Sequence, residues 1–341
     1  MFAVVTNLLI GLLGALIATN QPAAVSNLVA QTTGLTVSIP DPNDPVDKEY
    51  HKLMMDDDAA QTEVDGWIRD NDSFAAQGGG TPPEVLNARI RKRFESIKKG
   101  YEDFIARHPD HAGVRLAYGS FLTDTKEEEA AIPQFEKARE LDPKNAAPWN
   151  QLANFYGHHG PVKKAFEYYA KAIELNPTEP VYYQNMGTTV YLFRKDAMEF
   201  YQINEQQVFD KALGLYQQAL KLDPKNFEMA QDVAMTYYGI RPERNDDALK
   251  AWTNAMNLAE APLEREGIQI HLARWKLNAG RFAEAHQHLN LVTNQVYMEL
   301  KSRLLRNLKL REENPAGTNT PSAKIESQPS TNAPTTPVIK P

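Results

Sequence analysis

The sequence predicts an all-α chain built from stacked helix-turn-helix repeats, and three observations predict it. The pentapeptide LDPKN stands at Leu141–Asn145 and again at Leu222–Asn226, and a near copy, LNPTE, begins at Leu175, 34 residues after the first. Around these signatures small and aromatic residues recur at fixed offsets: Trp149, Leu152, Ala153 and Tyr156, then Ala165, Tyr169, Ala172 and Pro177. Self-similarity at this period marks a solenoid, because one helical hairpin cannot bury its apolar face alone and must stack on its neighbours. The third observation is composition. With 341 residues, 42% hydrophobic and 24% charged, the chain has the makeup of a soluble globular protein. A net charge of −7 disfavours a general affinity for nucleic acid, and the absence of cysteine excludes disulfides and thiolate sites.

Residues 1–30 form a separate hydrophobic segment. No Lys or Arg precedes Lys48, and Leu8–Ala18 is unbroken apolar residues and glycine. Such a stretch is too short to span a bilayer but suits the apolar core of a secretory signal, which predicts export to the periplasm or cell envelope. Ala24-Val25-Ser26 and Leu28-Val29-Ala30 are the candidate cleavage sites. The missing basic residues leave open a mis-assigned start codon, a cytoplasmic location, or an uncleaved segment loosely associated with membrane. Residues 31–80 read as a linker. The prolines of Ile39–Pro45 favour extended backbone, Tyr50–Asp70 carries enough apolar residues for one or two short helices, and Gly78-Gly79-Gly80 breaks the chain.

The solenoid is expected over 81–313. Thr81, Pro82 and Glu84 read as a capping box opening a long helix to about Ala106. Repeats follow at 112–145, 146–179, 180–226, 227–265 and 266–293. In the first, Pro133 should bend the second helix or delay its start. In the second, Trp149 reads as a core residue whose truncation costs roughly 3–5 kcal/mol. The third is longer by 13 residues, an insert at 194–207 in which Asn204 and Gln207 read as the cap of a new helix. The fifth is degenerate, as terminal repeats are. Residues 294–313 then form a cap helix with Val296, Leu300, Leu304 and Leu308 on one face and basic residues elsewhere. The tail, 314–341, has six prolines and little to bury, and is expected to be disordered.

The offsets W-x2-L-G-x2-Y, A-x3-F and P, met almost position for position in 146–179, make this chain resemble the tetratricopeptide repeat family. The resemblance implies a right-handed superhelical solenoid whose concave groove is lined by outward positions of each repeat's first helix. Carried over, these positions are Asn150, Asn154 and His158, then Gln184, Thr188 and Tyr191, then Gln231, Met235 and Tyr238, then Ile270, Arg274 and Leu277. The groove is expected to be amide-rich and aromatic. Family members that grip a C-terminal carboxylate use lysines and arginines beside asparagine; Asn154 is present, but the first three repeats supply no such lysine at groove positions, which speaks against a carboxylate clamp.

No H-E-x-x-H, G-x-S-x-G, phosphate-binding or dinucleotide-binding glycine pattern occurs. The histidines of His158-His159 and His286-x-His288 are spaced so that neither pair converges on one point of a helix face. No enzyme activity, cofactor or metal is therefore expected. The expected function is a protein-binding scaffold, taking a peptide or protein partner in the groove. The alternative is a structural subunit of an envelope assembly, held through the repeat-three insert or the basic last helix, which could also contact membrane.

Overall fold

A computed structural model describes residues 44–313; the expectations for the N-terminal apolar segment and the C-terminal tail lie outside the described residues. Every regular element described is helical, and the chain divides into two compact units, residues 44–178 and 179–313. Each is a stack of helical hairpins in which an element packs on its sequence neighbours.

The first unit holds α1 (Pro45–Ala75), α2 (Pro83–Arg107), α3 (Ala112–Asp124), α4 (Glu128–Leu141), α5 (Ala146–His159) and α6 (Val162–Leu175). The linker expected at 31–80 is instead largely α1, one continuous 31-residue helix. Asp44 caps it by accepting the Val46 N–H at 2.7 Å, and Pro45 sits in the first turn, where its missing N–H is harmless. Leu53, Asp57, Ala60 and Val64, spaced three or four apart, form one buried stripe against α2. Sequence reading missed the length of α1 because its stripe is narrow, broken by an aspartate, and flanked by charge. That aspartate is satisfied: Tyr101, itself fully buried, donates to Asp57 at 2.5 Å and Gln61 donates at 2.8 Å. Burial still pushes the Asp57 carboxyl up, against the lowering effect of those two donors. Arg93 pairs with Glu63 at 2.9 Å and the Arg89 guanidinium lies 3.6 Å over the Trp67 ring, closing the hairpin. The Thr81 capping box does not form. α2 begins at Pro83 without a side-chain cap, and the Thr81 N–H donates to Asn71 instead.

The repeated pentapeptide is a helix stop, a turn and a helix start. α4 ends at Leu141, Pro143 cannot continue a helix, and Asn145 caps α5 by accepting the Ala147 N–H at 3.0 Å. In the second copy the helix Glu205–Leu222 ends at the leucine and Asn226 accepts the Met229 N–H at 2.9 Å. α4 runs through Pro133, which is exposed in its second turn, rather than starting after it. Gly119 is small of necessity, since a Cβ there would lie 2.4 Å from the Phe135 ring. Trp149 is only half-buried, edge-on to Tyr168 with Arg139 over its face, so its truncation costs less than the core value expected.

The second unit holds α7 (Pro180–Leu192), α8 (Arg194–Tyr201), α9 (Glu205–Leu222), α10 (Phe227–Thr236) extended by a 3-10 turn, α11 (Asn245–Leu258), α12 (Pro262–Asn278), α13 (Phe282–Asn290) and α14 (Met298–Glu313). The insert forms the short α8, pinned by buried Ala197 and ended by Gln202 in the left-handed region. Asn204 and Gln207 form the expected capping box of α9. The fifth repeat begins at Pro262, four residues before 266, where the Glu264 carboxylate accepts the Ala261 N–H at 3.1 Å. α14 buries Leu304 and Leu308, but Val296 lies outside it and is exposed.

Candidate functional site

In the first unit the expected groove residues are mostly committed to the fold. Asn150 is buried, so it is not a lining residue. Asn154 accepts the Tyr169 hydroxyl at 2.7 Å and donates to Gln151 at 3.1 Å. The tyrosine at the packing position of α6 thus uses the amide that would have met a ligand. His158 is exposed; its neighbour His159 stacks on Phe155 and lies 3.5 Å from Glu128.

The second unit carries a more open face, built by α7, α10 and α12. Its floor is a set of cross-helix hydrogen bonds. Thr188 of α7 meets the Tyr216 hydroxyl of α9 at 2.9 Å. Tyr191 places its hydroxyl against Gly239, where a Cβ would fall 1.8 Å away, and accepts the Gly239 N–H. Tyr238 and His271 Nδ1 share a hydrogen bond of 2.9 Å, and the Trp252 ring stacks on the imidazole at 4.0 Å. Burial, helped by the nearby Arg274 charge, pushes the His271 pKa down to about 3, so the ring is neutral at physiological pH. Arg194 and Arg241, each three residues beyond Tyr191 and Tyr238, donate to those tyrosines' carbonyls at 3.1 Å and close the ends of α7 and α10. Ile270 and Leu277, expected in the groove, are instead buried under α14.

What faces outward over this floor is Gln184, Gln231, Asp232, Met235 and Arg274. Met235 is 44% exposed, unusual for a large apolar side chain. Gln184 donates to Asp232 at 3.2 Å, linking α7 to α10. Asp232 is exposed, yet the protein around its carboxylate removes enough water to raise its pKa, with Gln184 opposing and Glu228 reinforcing the shift. Asp232 and His271 are not marked by the sequence: each lies one position beyond a groove residue, and a lone histidine carries no motif.

The two alternative contact regions are packed as well. α8 sits against α7 and α9. The apolar stripe of α14, Leu300, Leu304 and Leu308, packs into its own core, while Leu310 is exposed. Among the described residues no helix is long and apolar enough to cross a membrane.

Residues 112–145 and 146–179 each match the tetratricopeptide repeat family model. No curated protein matches the chain. Among solved structures, YrrB, described as a TPR protein with an unusual peptide-binding site, is 17% identical, covering 60% of this chain and 97% of its own, with a TM-score of 0.46. PilW, a widely conserved type IV pilus biogenesis factor, is 16% identical over 65% of this chain and 94% of its own, with a TM-score of 0.47. For pilF of Pseudomonas aeruginosa the values are 18%, 62%, 90% and 0.44.

Proposed function

Because residues 112–179 are a tandem pair of tetratricopeptide repeats, a class that generally serves as a protein-interaction scaffold, we propose that this chain is a non-catalytic adaptor. Its partner, a peptide or protein segment, is received on the α7–α10–α12 face. The observation that carries this reading is the exposure of Met235 and Asp232, beside the half-buried Gln231 and Arg274, above a floor of mutually hydrogen-bonded side chains. A floor already ordered loses little side-chain entropy when a partner docks, so contacts at the rim convert into affinity. The Leu8–Ala18 segment supports placing the adaptor in the periplasm or envelope, and cell fractionation checks that.

The test is affinity capture and crosslinking from native lysate and envelope fractions. The full chain is compared with a Gln231→Ala/Met235→Glu variant of equal helicity. Loss of one partner with the variant supports the reading; capture of the same set by both proteins refutes it.

A further inference from the structure

The outward face of α7, α10 and α12 carries two charges that lack a counter-charge among the described residues, in a definite order. The Asp232 carboxylate has Gln184 as its side-chain partner and, among the described residues, no cation within ion-pair distance, while Glu228, one turn earlier on α10, adds to the negative field. On α12 the Arg274 guanidinium lies 5.5 Å from the Tyr238 ring centre and, among the described residues, pairs with no carboxylate. Elsewhere in this unit cations and carboxylates do find each other: Arg244 meets Asp210 at 2.6 Å and Lys276 meets Glu284 at 2.7 Å. Between the two unpaired charges stands the exposed thioether of Met235, three residues from Asp232 and therefore on the same side of α10. Because Arg274 lies against Tyr238, six residues beyond Asp232, a partner running along α10 from Asp232 meets negative, apolar, then positive.

We propose that this face selects an extended peptide segment of complementary order, with a Lys or Arg side chain on Asp232, a large apolar side chain on Met235 and an Asp or Glu side chain on Arg274. The inference rests on the adaptor reading above and deepens it. Six residues of helix rise about 9 Å, and an extended chain advances about 3.3 Å per residue, so the basic and acidic residues fall about three positions apart. Complementary charge of this kind fixes register and direction more than it adds affinity.

Panning a random linear-peptide phage library on the full chain reads the preference directly. The expected result is enrichment of peptides with a basic and an acidic residue about three positions apart and an apolar residue between them. A recovered peptide should bind Asp232→Asn and Arg274→Gln each about fivefold more weakly. Asp232→Lys should reverse the preference and recover acidic residues at that end. If recovered peptides lose binding to Met235→Glu but carry no charge pairing, or bind Asp232→Asn unchanged, the charge inference is overturned and the adaptor reading stands. If they bind Met235→Glu as well as the parent chain, or if none is enriched over an unrelated helical protein, the adaptor reading falls with it. Far-UV circular dichroism of each variant confirms that all are folded.

Discussion

Acidification should destabilise the second unit through one residue, His271. Its half-buried imidazole stacks on Trp252 and shares a hydrogen bond with Tyr238, and desolvation together with the Arg274 charge lowers its pKa from 6.5 to about 3. A group whose folded pKa is depressed stabilises the fold fully above its unfolded pKa and loses that contribution as pH falls, because the unfolded chain takes up the proton first. Between pH 7 and pH 5 the shift corresponds to about 2 kcal/mol. Burial pushes carboxyls the other way. Asp124 is raised to about 6, with Asp57's charge assisting, and Glu179 and Asp232 are raised too, so the fold gains stability from them as they protonate. The raw pH curve therefore mixes both signs, and the informative quantity is the difference between the parent chain and His271→Asn, whose side-chain oxygen can still meet Tyr238. Urea unfolding followed by Trp252 and Trp275 fluorescence, with Trp67 and Trp149 both changed to Phe, confines the readout to the second unit. The stability advantage of the parent over His271→Asn should shrink by about 2 kcal/mol from pH 7 to pH 5. A difference constant to within about 0.5 kcal/mol would refute the assignment of a neutral histidine.

Gly119→Ala should lower stability by about 1–3 kcal/mol in urea titration, since the new methyl meets the Phe135 ring at 2.4 Å; an unchanged midpoint would mean the ring moves freely. Trp252→Ala, at a fully buried site, should cost about 3–5 kcal/mol, and Trp149→Ala clearly less, so equal costs would contradict the burial of the two rings. Asn204→Ala removes the cap of α9 and should cost about 1 kcal/mol, with faster amide exchange confined to the first turn after Glu205. A fragment starting at residue 82 should be markedly less stable than one starting at 44, because Leu53 and Val64 alone contribute about 3–6 kcal/mol of burial; matching thermal midpoints would show that α1 is dispensable.

The boundaries legible in the sequence are those set by local chemistry. Asn145 and Asn226 cap the next helix with their own side chains, Pro143 and Pro224 stop the previous one, and Asn204 and Gln207 satisfy each other's backbone within one turn. Each signal is complete within a few residues, which is why the repeat period, the all-helical class and the new helix after the insert could be read without coordinates. Residue choice at Gly119 is also written into the repeat pattern, because the helix pair that demands it recurs.

The face available to a partner was decided elsewhere. Whether an asparagine or tyrosine at an outward repeat position is free depends on what a neighbouring helix offers it. Asn154 is taken by Tyr169, 15 residues on, Tyr238 by His271, 33 residues on, and Asp232 is reached by Gln184 across 48. Likewise α1 is a helix because α2 covers its stripe, and Ile270 and Leu277 are core because α14 lies over them. Local pattern alone determined where helices start, stop and repeat, since those hydrogen bonds close within a turn. Which polar groups remain for a partner was settled only by tertiary packing, because burial and hydrogen-bond satisfaction are properties of pairs far apart in the chain.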